Sequence, residues 1–313
     1  MDEQPLCTTV FAERYAQPGE TSRAAVFQRV ARALSLAEPP ALRARAERTF
    51  FQNLQRGAIG AGRIMANAGA TTGGTMVNCF VHPLAVPDDT PLQGVDAALA
   101  QALDDARLTL LMGGGIGYDF SPVPPAGAYE RRLSPERGVC AAIDRFDAMC
   151  RALPFTGPRR GAQMGVLRCD HPDLLAFVTA KHGRARWPTF NLSVGITDAF
   201  MEAVAHDLPW ALVHHAPRHA AAIASPRRPD GRYLHATVPA RKVWQAIVNA
   251  ARDSAEPGLL FLDTIRDANP LREHERIDAT NPCGEQPLPP SRPPRRGPVP
   301  PPPAPLPLRP PPP

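Results

Sequence analysis

The stretch Gly113–Ser121, GGGIGYDFS, contains the change from helix to strand that decides the fold. Before it, apolar side chains such as Val95, Leu99 and Leu110 recur at helical spacing and predict an amphipathic helix. The three consecutive glycines end that helix, because glycine has a very low helix propensity. The residues from Gly115 onward predict a strand, which Pro122 ends.

Similar units lie on both sides of this stretch. Strands are predicted at 75–81, 189–196 and 258–262, and helices at 141–152 and 239–252. Asp170 is expected to cap a further helix with Pro172 near its first turn, and Thr197 to cap another. Strands and helices that alternate in this way predict crossover units and therefore an α/β core.

The first 65 residues predict a separate helical region. Apolar side chains repeat there every four residues in two stripes on either side of Pro39-Pro40: Val26, Val30 and Leu34, then Leu42, Ala46, Phe50 and Leu54.

Composition excludes several classes of protein. The chain has 313 residues, of which 43% are hydrophobic and 21% charged, unlike a disordered or collagen-like chain. No apolar run approaches the roughly 20 residues that span a bilayer. The N-terminus is acidic and has no hydrophobic signal core. We therefore expect a soluble, cytoplasmic protein without a membrane partner.

The last 27 residues distort the overall composition. They hold 16 of the 39 prolines and four arginines without an acid, so the formal charge of +5 leaves only +1 for the other residues. The basic balance is therefore no argument for a nucleic-acid partner of the folded part.

Cysteine and histidine spacing argues against a metal site. None of the six cysteines forms a C-x-x-C pair. Four are expected to be small buried hydrophobic side chains: Cys7, Cys140, Cys150 and Cys169. His214, His215 and His219 are metal ligands by type, but Pro217 argues against a regular helix that presents them together. We expect no metal.

Three local motifs can carry chemistry. Asn281-Pro282-Cys283-Gly284-Glu285 puts a thiol and a carboxylate two residues apart on a constrained turn, where one can form a radical and the other accept a proton. Arg159-Arg160 is either a phosphate clamp or a solvated basic turn. The triple glycine either lets the backbone approach a phosphate or base, or only ends a helix.

Taken in order, the motifs resemble the large catalytic subunit of ribonucleotide reductase, and within that family the class II enzymes, which depend on adenosylcobalamin. The resemblance runs from about residue 51 to 290. The segments that carry it are 78–81 (NCFV), 113–121 (GGGIGYDFS), 159–164 (RRGAQM), 167–174 (LRCDHPDL), 190–201 (FNLSVGITDAFM), 255–263 (AEPGLLFLD) and 279–290 (ATNPCGEQPLPP).

This resemblance implies a fold and a set of boundaries. Residues 1–65 would form an N-terminal helical lobe, and 66–290 the first half of a ten-stranded α/β barrel of the ribonucleotide reductase type. Residues 291–313 would form a disordered polyproline tail.

It also implies a mechanism. A thiyl radical on Cys283 would take the 3′ hydrogen of a ribonucleotide, and Glu285 would act as general base on the 3′ hydroxyl. Asn281 would bind the ribose hydroxyls. Cys79 would be one of two thiols that reduce C2′ and end as a disulfide. The cofactor would supply the radical chemistry, and the protein would position the reacting groups.

The resemblance further implies binding regions and partners. Asn78, Gly114 and Gly115 would line the substrate site. Arg159, Arg160, Gly161 and Ala162 would form the loop that links an allosteric site to the base pocket, and Asp88 or Asp89 would lie near the effector. Expected partners are a ribonucleoside di- or triphosphate, a dNTP or ATP effector, a thioredoxin-like reductant and a second copy of the chain.

The resemblance ends after Pro290, where the family continues to the partner cysteine of Cys79 and this chain continues with a Pro/Arg-rich run. Only two of the 35 basic residues are lysine, which suggests GC-rich coding DNA, so the tail is expected to be a frameshift product. The alternative is a real polyproline II segment. The leading hypothesis is a truncated reductase without turnover of its own; the alternatives are a non-catalytic nucleotide-binding fragment and a polyproline adaptor.

Overall fold

Four helices precede the first strand in the computed structural model, which describes residues 4–71, 74–87, 92–128, 137–155, 161–183, 186–219 and 226–291. They are α1 (Pro5–Arg14), α2 (Arg23–Ser35), α3 (Arg43–Gln55) and α4 (Gly62–Asn67). Both predicted helices are confirmed as α2 and α3; the first stripe buries Val26 and Val30, whereas no residue of α3 is buried and Leu42 precedes it. Of the tail expected at 291–313, residues 292–313 lie outside the described residues.

A small core holds these helices together. Val26, Val30 and Ala68 are buried at its centre. Ser22 caps α2, because its side-chain oxygen accepts a hydrogen bond from the Ala25 amide at 3.2 Å. Arg29 reaches from α2 to the end of α4, where it donates to the Ala68 carbonyl at 2.6 Å.

In the described ranges that follow, there are nine strands, six α-helices and one short 3-10 helix (Ala126–Ala128). The strands are β1 (Cys79–His82), β2 (Gly115–Asp119), β3 (Gln163–Arg168), β4 (Phe190–Ile196), β5 (Pro209–His214), β6 (Tyr233–Pro239), β7 (Gly258–Phe261), β8 (Ala279–Thr280) and β9 (Pro287–Leu288). The helices are α5 (Leu92–Leu111), α6 (Val139–Ala152), α7 (Leu174–Val178), α8 (Asp198–Ala205), α9 (Ala240–Ser254) and α10 (Leu262–Ala268).

The central sheet is parallel and has the order β1-β2-β3-β4-β7. Helices α5, α6 and α7 connect successive strands, as crossover connections between parallel strands require. The predicted α/β class is therefore confirmed. None of the helices in the described ranges is long and apolar enough to cross a bilayer.

The two faces of this sheet are covered differently. One face packs against α5, α6, α7 and α9 in the main hydrophobic core, where Tyr118, Phe146 and Phe190 are buried. The other face has a smaller cluster, which includes Val81, Met164 and Ala279. Because Ala279 belongs to β8, the segment that follows it lies over this second face, which we call the inner face.

Several local expectations were wrong. The strand expected at 75–81 begins only at Cys79, and β3 and the antiparallel hairpin β5–β6 were not expected. Asp170 does not cap a helix. Its carboxylate binds Arg168 and Arg232 instead, and α7 begins after Asp173. The cap at Thr197 is confirmed, since its side chain accepts from the Phe200 amide.

Candidate active site

A tight turn between β8 and β9 presents Cys283. The Gly284 amide donates to the Asn281 carbonyl at 3.0 Å, which closes a four-residue β-turn with Pro282 and Cys283 in its central positions. Gly284 has a φ of +82°, which glycine adopts without strain. The Asn281 amide donates to the Gln286 carbonyl at 3.2 Å. Cys283 is exposed at the tip of this turn.

The glycines of β2 let the turn lie directly on the sheet. A Cβ atom at Gly117 would overlap the carbonyl oxygen of Thr280, and one at Gly115 would lie 2.9 Å from Cγ of Pro282. Side chains two apart on a strand point to the same face, so the Gly-Ile-Gly sequence clears one face while Ile116 fills the core on the other. The space that Gly115 and Gly117 leave is thus occupied by the chain's own Thr280–Pro282 segment.

Cys79, Asn281 and Glu285 meet beside this turn, although about 200 residues separate Cys79 from the others. The side-chain amide of Asn281 donates to Sγ of Cys79 at 3.1 Å. Sγ of Cys79 lies 3.9 Å from Oε1 of Glu285. Strand β1 starts at Cys79, so the thiol stands at the amino end of the parallel strands.

Asn281 has no exposed surface, and both ends of its side chain are engaged. Oδ1 accepts a hydrogen bond from the Gln286 amide at 2.9 Å, and Nδ2 donates to Cys79. In this arrangement the side chain braces the turn and orients the thiol.

Burial raises the pKa of the Cys79 thiol above its ordinary value. The hydrogen bond from Asn281 and the charge of Arg63 favour the thiolate, but nearby Glu285 and Cys283 add to the effect of burial. Cys79 therefore carries its proton at neutral pH.

Asn191 is a polar contact of the turn that the sequence did not indicate. Its Nδ2 donates to the carbonyl oxygen of Pro282 at 2.8 Å. The residue lies in the FNLSV segment at the start of β4, but only the strand register brings it beneath the turn.

The other predicted residues are spread around this centre. Asn78 is exposed, and its carbonyl accepts from the Gly115 amide at 2.7 Å. Gly114 is buried, and a Cβ atom there would lie 2.8 Å from both Phe80 and Thr109. The Ala162 carbonyl accepts from the Ile116 amide at 3.1 Å, and Gly161 precedes it. Asp88, Asp89, Arg159 and Arg160 lie outside the described residues.

A polar cleft of about 370 Å³ lies at the carboxyl ends of β2 and β3, away from Cys283. Arg168 binds both carboxylate oxygens of Asp170, and Arg232 bridges Asp170 to Asp230. His214 also lines the cleft, where burial lowers its pKa to about 3 and keeps the imidazole neutral.

The three candidate histidines do not converge on a metal. The rings of His214 and His215 are 6.3 Å apart, whereas His219 is exposed further along the chain. Within the described ranges, no group of three or more His, Cys, Asp or Glu side chains could hold a metal ion.

The fold and the site together define an α/β protein with a cysteine-bearing turn on the inner face of a parallel sheet. The family described as "Ribonucleotide reductase, barrel domain" matches residues 77–293, and the chain belongs to the ribonucleotide reductase family. It is 38% identical over 296 residues to the vitamin B12-dependent ribonucleoside-diphosphate reductase of Mycobacterium tuberculosis (strain ATCC 25618 / H37Rv), which covers 90% of this chain.

Two further relatives are more distant. The vitamin B12-dependent ribonucleoside-diphosphate reductase of Thermoplasma acidophilum is 32% identical over 72% of this chain and 26% of its own length. A putative ribonucleoside-diphosphate reductase large subunit of Frog virus 3 is 30% identical over 70% of this chain and 35% of its own length. The chain spans only 38% of the length of the H37Rv relative.

Proposed function

We propose that this chain carries the radical-bearing half of the active site of an adenosylcobalamin-dependent ribonucleotide reductase, which makes 2′-deoxyribonucleotides for DNA synthesis. The observation that carries the proposal is the meeting of Cys79, Asn281 and Glu285 beside Cys283, with Sγ of Cys79 3.1 Å from the Asn281 amide nitrogen and 3.9 Å from a Glu285 oxygen. A turn with a purely structural role would not require a thiol and a carboxylate beside a second, exposed thiol.

The surroundings of Cys283 fit an external cofactor. The thiol is exposed, and nothing lies within 4 Å of a Cβ atom built on the neighbouring Gly284. A bulky cofactor can therefore approach the turn, and Cys283 is the residue that it would meet there. When bound, adenosylcobalamin would supply the radical chemistry that turns the Cys283 thiol into a thiyl radical.

The residues of this chain divide the remaining chemistry. The Cys283 thiyl takes the hydrogen atom from C3′, while Glu285 accepts the proton of the 3′ hydroxyl. The 2′ hydroxyl leaves as water with a proton from Cys79, which the raised pKa keeps protonated. The second thiol gives its hydrogen to C2′, the two sulfurs supply two electrons in all and end as a disulfide, and Glu285 returns its proton to the 3′ oxygen. Cys283 returns its hydrogen atom to C3′, so the radical is regenerated.

The second thiol comes from outside the cysteines of this chain. Cys150 and Cys169 are buried in the helix-covered core, and Cys140 packs against it. Cys7 is exposed on α1. None of these four lies at the turn.

We further infer that the substrate is a ribonucleoside diphosphate, as the names of the B12-dependent relatives state for those proteins. A dNTP or ATP effector, a thioredoxin-like reductant and a second copy of the chain are the remaining partners of this proposal.

A chimera tests the reaction. Residues 77–290 replace the matching segment of the Mycobacterium tuberculosis relative, which supplies the rest of the barrel. With adenosylcobalamin and a dithiol, we expect deoxynucleotide formation that Cys283→Ser abolishes and Glu285→Gln lowers by about 10²–10⁴-fold. Cys140→Ser is the matched cysteine control within the transferred segment, since Cys140 packs against the helix-covered core away from the turn, and it should leave the rate unchanged.

Nucleotide binding separates this proposal from a non-catalytic nucleotide-binding fragment. In the original chain, a ribonucleoside diphosphate should slow alkylation of Cys79 and Cys283 by iodoacetamide and leave Cys7 unaffected. Protection together with a folded but inactive chimera favours the non-catalytic fragment. If the nucleotide gives no protection in the original chain and the folded chimera shows no turnover, both the reductase proposal and the nucleotide-binding alternative are contradicted.

A further inference from the structure

Asn191 is the contact that links the central sheet to the peptide group before Cys283. Its register partner on β3 is Met164, whose own partner on β2 is Gly117, so the three residues form one row across the inner face. From that row the Asn191 amide reaches the Pro282 carbonyl at 2.8 Å. We propose that Asn191 is a positioning residue that fixes the direction of the Cys283 side chain, a role that rests on the function proposed above.

Because the backbone on both sides of Cys283 is already restrained, the single hydrogen bond from Asn191 is sufficient to fix the position of the Cys283 backbone. The ring of Pro282 locks its φ at about −65°. Its ψ sets the direction of the carbonyl, and the hydrogen bond from Asn191 restrains that direction. Because the peptide group is planar, the nitrogen of Cys283 is then fixed too. On the other side, the Gly284 amide is bound to the Asn281 carbonyl.

The strand that carries Asn191 is itself supported at this point. Strand β7 pairs with β4 only from Ser193 onward, so the Phe190 carbonyl and the Leu192 amide lie before the paired stretch. Lys181 donates to the Phe190 carbonyl, and Glu256 accepts from the Leu192 amide at 3.1 Å. The two side chains also form an ion pair of 2.8 Å.

This ion pair holds the strand backbone on both sides of Asn191. Its side chains are only 15% and 24% exposed, so solvent screens it less than a surface pair. Asn191 therefore projects from a strand segment whose backbone cannot shift freely.

Two substitutions at Asn191 separate its hydrogen bond from its bulk. Asn191→Leu removes the donor at every pH. Asn191→Asp keeps the shape, but its carboxylate repels the Pro282 carbonyl at neutral pH and donates again once protonated. Asn249→Asp is the matched control, because Oδ1 of Asn249 only accepts a hydrogen bond from Gln245 on α9.

Hydrogen exchange of residues 279–291, with rates divided by the intrinsic rate at each pH, reports on the turn without any turnover. For Asn191→Leu we expect the amides of Gly284 and Gln286 to exchange about fivefold faster at all pH values. Asn191→Asp should match this at pH 7.5 and return to within about twofold of the parent at about pH 3.5, where its carboxyl is protonated. Asn249→Asp should follow the parent throughout.

A catalytic measurement distinguishes positioning from simple support of the turn. In the chimera described above, Asn191→Leu should lower kcat about tenfold and leave KM within twofold, since it moves the reacting sulfur and not the substrate-binding groups. Parent-like exchange in both variants, or no acid recovery in Asn191→Asp, overturns the proposal. Faster exchange with an unchanged kcat also overturns it. If the parent chimera is inactive but hydrogen exchange follows the expected pattern, the result contradicts the proposed reductase reaction instead.

Discussion

At the scale of single residues, the absence of a side chain is as important for this site as any functional group. Gly115 and Gly117 leave the inner face of β2 open, and the Thr280–Pro282 backbone occupies that space. The turn that carries Cys283 is therefore held close to the sheet that carries Cys79.

Gly117→Ala should displace the turn from the sheet. Its methyl group would overlap the Thr280 carbonyl oxygen, which is backbone and cannot rotate away. We expect the free energy of unfolding to fall by about 1–3 kcal/mol, as in other overpacked sites. Gly127→Ala is the control, because nothing lies within 4 Å of its new methyl group. Urea unfolding of both variants measures the difference, and equal stabilities would mean that β8 does not lie on β2.

Asp119→Asn should alter how stability depends on pH. Burial raises the pKa of Asp119 to about 6, with a contribution from Asp278, whereas an unfolded chain has a value of about 3.9. The folded protein therefore binds this proton more tightly, and that stabilisation is complete below about pH 4 and lost as the pH rises through 6. Relative to the parent, the variant should gain about 2 kcal/mol between pH 4.5 and pH 8 in urea unfolding.

Asp230→Asn is the opposite case within the same cleft. Burial raises the pKa of Asp230, but the hydrogen bonds and charge of Arg232, with the charge of Arg228, together outweigh it and hold this pKa below its ordinary value. Its ionised form therefore stabilises the fold above about pH 4, and the substitution should cost stability there and not at lower pH. The same sign for both variants would contradict the assignment of these two environments.

At the scale of elements, the sequence was informative where chain-local signals are strong. The apolar stripes of α2 and α3, the glycines after α5 and the cap at Thr197 depend on residues within a few positions of one another. The short run QMGVLR of β3 has no such signal, since a buried strand and a buried helical turn share the same apolar pattern. It becomes a strand because β2 and β4 pair with both of its edges.

The candidate site divides in the same way. The Asn281–Glu285 motif is contiguous and could be recognised from the sequence alone, and Cys79 follows from the family resemblance. Asn191 could not be found, because its role depends on which residue of β4 stands beside Met164. The wrong cap at Asp170 has a similar cause: an aspartate near a proline is a good local signal, but Arg232, 62 residues away, binds its carboxylate.

At the scale of the whole molecule, the inner-face turn and the N-terminal helices depend on different cores. The helices α2 and α4 bury Val26, Val30 and Ala68 in a core that contains no residue of the sheet. Arg29 completes that core: it is 12% exposed, pairs with Glu20 at 2.8 Å and donates to the carbonyls of Tyr15 and Ala68 at 3.0 and 2.6 Å. Loss of Arg29 should therefore weaken the helical region and leave the sheet intact.

Arg29→Met should lower the free energy of unfolding of the N-terminal helices by about 3 kcal/mol, because it leaves the mostly buried Glu20 without its cation. Arg32→Met is the matched control on the same helix, since Arg32 is 72% exposed in its pair with Glu47 and should contribute less than about 1 kcal/mol. Hydrogen exchange should show faster opening in α2 and α4 of the first variant, with unchanged protection in β2, β3 and β4. Equal loss of protection in these strands would show that the two cores unfold as one unit. Substitutions in the helices would then also lower the stability of the sheet that supports the Cys283 turn.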